Sequence, residues 1–391
     1  MNRRNFVKSS FLTLAAGAGM PGFLGRTASA AAIGKGKILV VVQLSGGNDA
    51  LNTLIPFTNG AYYNARPTLA IGKKDVLNLD DSVGLNPALK PMMGLWDNGE
   101  LALVQGVGYP NPNRSHFESM AIWHTGDPKA RETEGWIGKI AEKYGDPFCA
   151  TNIGGTTPLA LRGSDIILPS ISSIDRFQFK IAPEAQTAFD TILETPLTGR
   201  AETMRGATRQ MLTDIDRVQK GIGKYKSGAA YPEEKFAMSL REIARLIAAD
   251  VGQRVFYTSL GSFDTHAGQP VDHPELLGAL SSGLSAFRAD LEKQGRSDDV
   301  VVIGFSEFGR RLAENASAGT DHGKAGLMFA LGKGVKGGLY GAYPDLEKLD
   351  DGDPVMTTDF RQVYATALDK WLNIPSRDIL GANFAPMNFL K

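Results

Sequence analysis

The chain has 391 residues, and its 42 basic and 42 acidic side chains give a formal net charge of zero. This balance offers no electrostatic reason to expect binding to nucleic acid or to an anionic membrane. Hydrophobic residues make up 42% of the sequence and charged residues 21%, which allows a sizeable core and argues against disorder. The single cysteine, Cys149, excludes an internal disulfide and any cysteine-rich zinc or iron–sulfur site.

The N-terminus is typical of an export signal. Arg3-Arg4 precedes a weakly apolar run over residues 11–24, and the small residues 28–30 form a cleavage site. A membrane anchor is the alternative, but glycines and a proline interrupt the run, whereas a span needs about 20 apolar residues. We therefore predict a twin-arginine signal peptide over residues 1–30, handled by the twin-arginine translocase, with no stable membrane span. The mature protein, residues 31–391, is expected in the bacterial periplasm or outside the cell.

The mature sequence fits one large α/β domain with an insertion. Continuous apolar runs predict buried strands at residues 37–44, 101–106, 255–260, 300–304 and 327–331. Asn86 as a cap and Pro87 at the first helical position predict a helix at residues 86–96. Apolar residues at three- and four-residue spacing predict helices at residues 183–193, 202–220 and 232–250, and two further helices are expected at residues 274–294 and 360–371. The mainly helical stretch at about residues 173–250 is interpreted as an insertion or cap over the sheet.

Acids and histidines follow several of these strands. Strand 37–44 leads to Asp49, strand 255–260 leads to Asp264 and His266, and strand 300–304 stops before Glu307. Ligands of open α/β sheets bind outside the carboxyl ends of the strands, so these side chains are well placed for chemistry. Each motif alone is weak, because Gly-Gly-Asn-Asp can be an ordinary turn. The predicted metal ligands are Asp49, Asp264, His266, Glu307, Asp321 and His322.

A further group of polar residues follows strand 101–106. Ser115 and Glu118 have the Ser-x-x-Glu spacing of a capping box, which explains both without catalysis. The alternative is that Ser115 is a nucleophile at a helix N-terminus, where free amides and the helix dipole stabilise a phosphate. Arg114 and His116 beside it favour an anion or metal site, and His116 is a candidate both for a ligand and for a general acid.

The order of these motifs resembles that of the alkaline phosphatase superfamily, which includes phosphatases, sulfatases and cofactor-independent phosphoglycerate mutases. With the export signal, the chain looks most like an exported family related to it, the domain of unknown function numbered fifteen-oh-one. The resemblance covers most of residues 37–338. It implies a three-layer α/β sandwich with a largely parallel central sheet flanked by helices.

The resemblance also implies roles for particular residues. Positions that match metal ligands of the superfamily are Asp49, Asp264, His266, Glu307 and His322. Ser115 matches the nucleophile position, and Arg114 or Arg310 would clamp the anion. One or two divalent ions, Zn, Mn, Mg or Ca, would polarise the oxygens of the ester.

The sequence departs from the superfamily pattern in three places. Ser306-Glu307 stands where an Asp-His pair is usual, the spacing from Asp264 to its histidine is shorter than in the phosphatases, and the sulfatase Cys/Ser-x-Pro-x-Arg motif is absent around Ser115. Two hypotheses follow. The first is an exported metal-dependent hydrolase of small or polymer-borne phosphate or sulfate esters. The second is a non-catalytic exported binding or assembly protein on a degenerate phosphatase-like fold.

Overall fold

The computed structural model describes residues 36–129, 131–146, 149–164, 166, 168–176, 182–250 and 252–391. The predicted signal peptide, residues 1–30, lies outside these residues. The strands are β1 Ile38–Leu44, β2 Leu54–Ile55, β3 Leu77–Asn78, β4 Gly84–Leu85, β5 Leu101–Gly108, β6 Ala150–Ile153, β7 Ser170–Ile171, β8 Val255–Leu260, β9 Val300–Phe305, β10 Arg310–Glu314, β11 Thr320–His322, β12 Gly326–Leu331, β13 Gly338–Tyr340, β14 Leu349–Asp350, β15 Asp353–Pro354 and β16 Thr358–Asp359.

The α-helices are α1 Ala50–Thr53, α2 Gly60–Ala65, α3 Met93–Asp97, α4 His116–Thr125, α5 Trp136–Tyr144, α6 Pro183–Glu194, α7 Arg200–Lys224, α8 Lys235–Ala249, α9 Gln269–Lys293, α10 Phe360–Thr366 and α11 Ser376–Leu380. A 3₁₀ segment, Pro87–Met92, precedes α3, and a π-helical segment, Ala367–Leu372, follows α10. In this part of the chain, no helix has the length and apolar character needed to cross a membrane.

The centre of the molecule is a mostly parallel sheet. In the described residues its order is β13-β5-β12-β9-β1-β8-β6-β7, and β16 also pairs with β5. Strand β12 is antiparallel to β5 and β9, whereas the remaining pairs are parallel. The predicted α/β class with a largely parallel sheet is therefore confirmed.

Strand β1 shows why helices cover both faces of the sheet. All seven of its residues are buried, and side chains alternate between the faces of a strand. Leu39 and Val41 pack in one apolar cluster with residues of α4, α5 and α10. Val40 and Val42 pack in a second cluster with residues of α8 and α9. The result is three layers, helices on a sheet on helices, as expected for a sheet whose strands are apolar throughout.

The region at about residues 173–250 contains helices α6, α7 and α8. Helix α8 buries Phe236, Leu240 and Ile243 in the second apolar cluster, so this helix belongs to the layer that flanks the sheet. Helix α7 packs on α8. Helix α6 contributes no buried residue among those described. Whether part of this region acts as a cap over the site stays a prediction.

The sheet topology brings distant segments to one edge. Leu44 at the end of β1 pairs with Leu260 at the end of β8, and Gln43 pairs with Phe305 at the end of β9. Strand β5 runs in the same direction and leads to residues 109–115. Because β12 runs in the opposite direction, the segment before its start, which contains His322, returns to this same edge. The carboxyl edge is therefore where loops from five strands meet.

Burial of His273 should make the fold sensitive to acid. Its side chain is 1% exposed, and its Nε2 atom lies 2.9 Å from Asn48 Oδ1. Burial lowers the pKa of His273 from 6.5 to about 4, so the folded protein keeps the ring neutral. The unfolded chain takes up a proton below pH 6.5, so stability is complete above that pH and falls towards pH 4. We expect His273 to account for a loss of about 3 kcal/mol in the free energy of unfolding across this range.

Urea unfolding of the wild type and of His273→Gln at pH 7 and pH 4 measures this contribution. Glutamine can still donate to Asn48 but does not titrate, so the variant should lose less stability on acidification. Equal losses in the two proteins would contradict the assignment.

Candidate metal centre

Three histidines meet one carboxylate at the carboxyl edge of the sheet. The Nε2 atoms of His322 and His266 lie 3.0 and 3.1 Å from Asp264 Oδ1. On the other oxygen, His116 Nε2 lies 3.4 Å from Asp264 Oδ2. The Nε2 atoms of His266 and His322 are 2.9 Å apart. Ligand atoms of His116, Asp264 and His322 all lie within 4.8 Å of one another, which makes this trio a candidate metal site.

In all three rings the other nitrogen, Nδ1, contacts an oxygen. The partners are Glu307 Oε1 at 2.8 Å from His116, Asp321 Oδ1 at 3.2 Å from His266 and the Arg114 backbone oxygen at 2.9 Å from His322. An oxygen that accepts the Nδ1 proton fixes the tautomer and leaves Nε2 free to bind a metal. This is the arrangement that outer-shell partners give to metal-binding histidines.

The contacts of His322 are the strongest indication that a cation binds here. A backbone carbonyl can only accept, so the Nδ1 of His322 must donate to Arg114, and the neutral ring then has a lone pair at Nε2. That lone pair faces Asp264 Oδ1 and His266 Nε2. Protonation could relieve the crowding, but burial lowers the pKa of His322. Ligands at 2.0–2.1 Å from a tetrahedral ion lie about 3.3 Å apart, close to the separations found around Asp264. The residues present therefore fit one divalent ion.

Glu307 lies behind the cluster. Its side chain is 1% exposed, and Oε1 accepts from the Gly46 amide at 2.8 Å as well as contacting His116. The hydrogen bond with Glu307 raises the pKa of His116, although partial burial lowers it. Gly46 has a φ of +120°, and a Cβ there would lie 2.5 Å from the Asp264 backbone nitrogen. Only glycine therefore fits at this position of the loop, next to Asp264 and Glu307. Glu307 orients the His116 ring through its Nδ1 atom.

Arg310 does not face the cleft as an anion clamp, contrary to the role the resemblance implied. Its side chain is fully buried and donates to Asp264 Oδ1 at 2.7 Å. Its other hydrogen bonds go to the backbone oxygens of Gly46, Gly47, Phe263 and Thr320. Burial raises the pKa of Asp264, but the hydrogen bond and the positive charge of Arg310 contribute to lowering it to about 2. Asp264 therefore stays ionised and fixed in position.

Arg114 is occupied as well. Its guanidinium donates from Nε to Asp353 Oδ2 at 2.9 Å and from Nη2 to Asp351 Oδ2 at 2.9 Å. The backbone oxygen of Arg114, rather than its side chain, contacts the cluster through His322. The two aspartates neutralise the guanidinium, so in the structure it does not act as the predicted anion clamp. Arg114 instead positions the His322 ring through its backbone oxygen.

Asp49 is not brought to the cluster. Its side chain is fully buried, and its Oδ2 atom lies 2.6 Å from Arg66 Nη1. Its other oxygen caps α1 by accepting from the Leu51 amide at 3.1 Å, and Gln269 donates to Oδ2. Burial raises the pKa of Asp49, but the charge and the hydrogen bond of Arg66, together with smaller contributions that include the hydrogen bond from Gln269, outweigh this, so its pKa is lowered. In the structure Asp49 is half of a buried ion pair and has no free oxygen directed at the histidines.

Ser115 precedes α4 but does not form the predicted capping box. Within the described residues its side chain makes no capping hydrogen bond, and Glu118 instead accepts from the Asn113 side chain. The Ser115 amide donates to Asn113 Oδ1 at 2.7 Å. No hydrogen bond joins the Ser115 hydroxyl to the cluster in the part of the chain that is described. A nucleophilic role for Ser115 stays a prediction.

A cleft of about 440 Å³ opens beside the cluster. Its lining comprises Ser45, Gly46, His116, Phe117, Met120, Ala121, His124, Leu159, Asp264 and Glu307. His124 is 7% exposed, and its Nε2 contacts Gln43 Oε1 at 3.0 Å and the Tyr257 hydroxyl at 3.1 Å. Burial lowers the pKa of His124 to about 4, so its ring is a neutral part of the cleft wall.

Replacing Glu307 with glutamine should weaken metal binding without unfolding the protein. The amide oxygen can still accept from Gly46, but a neutral partner orients His116 less firmly and makes its ring a weaker ligand. Loss of one outer-shell partner typically lowers metal affinity about 10- to 100-fold. Competition for Zn²⁺ against a chelating dye measures the change, with Glu118→Gln as control because Glu118 is exposed and lies on the helix that begins with His116. An unchanged affinity would exclude this positioning role.

Comparison with known proteins gives a family but no activity. A family model described as a protein of unknown function (DUF1501) matches residues 82–373. No curated protein matches the sequence. Similar solved structures include the PsFucS1 sulfatase from Pseudoalteromonas sp., at 12% identity and a TM-score of 0.39, covering 97% of this chain and 71% of that one. The zinc complex of the C-terminal periplasmic domain of EcEptC from Escherichia coli is 7% identical, with a TM-score of 0.36 and coverages of 76% and 72%. These scores are too low to support an argument about function.

Proposed function

The chain belongs to the DUF1501 family of proteins of unknown function, and we propose that it is an exported metal-dependent hydrolase of phosphate or sulfate esters. The observation that supports this most is the orientation of the three histidines. Each ring is held by an oxygen at Nδ1 and turns Nε2 towards Asp264, beside an open cleft. A group of acids and histidines at the carboxyl edge of an α/β sheet is a typical place for catalysis.

His116, Asp264 and His322 would hold the ion, with His266 next to them. A divalent ion there would supply a Lewis acid that polarises the non-bridging oxygens of the ester and activates water. Three protein ligands leave a coordination position open, which is typical of catalytic rather than structural zinc sites. Two imidazoles and one carboxylate favour Zn or Mn over Mg and Ca.

The surrounding residues would fix this geometry. Glu307 and Asp321 hold His116 and His266 by their Nδ1 atoms, and Arg310 holds Asp264. Water is the simplest nucleophile, since the described contacts do not connect Ser115 with the cluster. Export by the twin-arginine translocase to the periplasm or beyond is part of the proposal and is supported by the Arg3-Arg4 motif. The substrate would be an anionic ester, either small or attached to a polymer.

The test is hydrolysis by residues 31–391 loaded with Zn²⁺ or Mn²⁺. Release of p-nitrophenol is measured from p-nitrophenyl phosphate, bis(p-nitrophenyl) phosphate and p-nitrophenyl sulfate. Turnover that requires metal and disappears in His322→Ala, but survives in His273→Gln, is the expected result. Absence of metal-dependent turnover of all three esters would count against a hydrolase.

The second hypothesis, a non-catalytic binding protein, has one observation in its favour. Both arginines near the cluster are already bonded to aspartates of the chain, so neither is available to stabilise charge on a reacting anion. A metal bound at full occupancy with no turnover of any ester would favour this alternative.

A further inference from the structure

The residues that line the cleft beside the metal centre are of two chemical kinds. The polar or small lining residues are Ser45, Gly46, His116, His124, Asp264 and Glu307. The apolar lining residues, here called the apolar wall, are Phe117, Met120, Ala121 and Leu159. A ligand that reaches the metal centre would therefore meet an apolar surface with the rest of its body.

Phe117 is the most exposed part of the apolar wall. Its side chain is 90% exposed, the largest value among the exposed large hydrophobic residues described. It follows His116 on α4, and the His116 ring packs against Phe308 and His322 with centroids 5.0 and 4.4 Å apart. The start of the helix is thus held in place by the cluster. A solvent-exposed aromatic ring on a helix turn that is anchored next to the metal centre is well placed to stack on a flat apolar group.

The cleft also lacks a cationic side chain. Among the described residues that line it, the acidic side chains are Asp264 and Glu307, and there is no lysine or arginine. The nearby guanidinium of Arg310 is bonded to Asp264, and that of Arg114 to Asp351 and Asp353. Sites for doubly charged phosphates usually add such cations as clamps. A metal ion would be the main positive charge that meets the ligand, and this favours a ligand with one negative charge.

From these two features we infer that the site takes a monoanionic ester, either a phosphodiester or a sulfate monoester, whose leaving group carries an aryl or similarly flat apolar face that lies on Phe117. The inference rests on the proposed function for the reaction itself. Recognition of the ligand is independent of the proposed function. Binding of a monoanion with an aryl group needs the metal centre and Phe117, but it needs no turnover.

Binding of inert analogues tests the inference. The Zn²⁺-loaded protein, residues 31–391, is titrated calorimetrically with methyl(phenyl)phosphinate and benzenesulfonate, which are aryl monoanions without a cleavable ester. Dimethylphosphinate and methanesulfonate provide the alkyl counterparts, and phenylphosphonate provides an aryl dianion at a pH where it is fully ionised. The phosphinate and sulfonate arms distinguish a phosphodiester site from a sulfate site.

At least one aryl monoanion should bind about tenfold more tightly than its alkyl counterpart, because its ring stacks on Phe117. It should also bind about tenfold more tightly than the aryl dianion, because the described lining residues include no lysine or arginine to balance a second negative charge. Phe117→Ala should remove this preference without changing the affinity for the alkyl ligand, and Phe117→Trp should keep it. Val271→Ala is the matched control, because Val271 is also exposed, at 63%, but does not line the cleft.

Equal affinities for aryl and alkyl ligands, tighter binding of the dianion, or no effect of Phe117→Ala would overturn the inference. Preference for aryl monoanions that depends on Phe117, without hydrolysis of any ester, would uphold it and refute the hydrolase. Metal-dependent hydrolysis without any aryl preference would refute the inference and uphold the hydrolase.

Discussion

Asp264→Ala is expected to lower the affinity of the mature protein for Zn²⁺ by at least about 100-fold, the upper end of what loss of a single outer-shell partner costs. The carboxylate contacts all three histidines through its two oxygens, at 3.0 to 3.4 Å. Without it, only neutral imidazoles face the ion, and the charge that binds the cation most strongly is gone. Competition with a chelating dye at fixed pH measures the change.

The fold should survive this substitution, with some loss of stability because the buried Arg310 loses its carboxylate partner. The Asp264 side chain is 46% exposed, and Arg310 keeps its hydrogen bonds to four backbone oxygens. Asp298→Ala is the matched control, because Asp298 is 79% exposed and lies just before β9, at the opposite end of that strand. Wild-type affinity in Asp264→Ala, with normal unfolding, would show that the ion binds elsewhere or not at all.

Of the substitutions proposed here, Asp49→Ala should cause the largest loss of stability, and it should leave metal binding unchanged. Asp49 and Arg66 form an ion pair in which both side chains are fully buried. Removing one partner of a buried pair leaves an uncompensated charge and typically costs about 3–5 kcal/mol in the free energy of unfolding. Urea unfolding measures the loss, and the metal content of the folded fraction should stay at the wild-type value.

A double variant separates this explanation from simple loss of packing. In Asp49→Leu/Arg66→Met both charges are removed, so part of the lost stability should return. Recovery is incomplete because Arg66 also donates to Asn52 Oδ1 and to the backbone oxygens of Arg311 and Leu312. If folded Asp49→Ala instead lost its metal, Asp49 would belong among the ligands, as its position after β1 predicted.

The sheet and the position of the site could be predicted because both depend on local patterns. Apolar runs identified β1, β8 and β9, and each was followed within a few residues by the polar groups of interest. Parallel strands bring their ends to one edge, so Asp264 and His266 after β8 were expected near the ends of β1 and β9. The resemblance added His322 to this site, and the structure brings the three residues together.

The roles of individual side chains depend on contacts that no local pattern contains. His116 meets Glu307 across 191 residues, and Arg310 meets the Gly47 backbone across 263. Asp49 lies in a motif that suits a metal ligand, but Arg66, 17 residues later in a stretch without a recognisable motif, takes its carboxylate. The capping spacing of Ser115 and Glu118 was also misleading, because Asn113 competes for the same groups.

The most direct test of the metal centre is elemental analysis of residues 31–391, purified without chelator, beside the double variant Asp264→Ala/His322→Ala and the control His273→Gln. We expect about one equivalent of Zn or Mn in the wild type and in the control, and almost none in the double variant. If the wild type holds no metal even after reconstitution with Zn²⁺, Mn²⁺, Mg²⁺ and Ca²⁺, the three histidines around Asp264 do not form a metal centre.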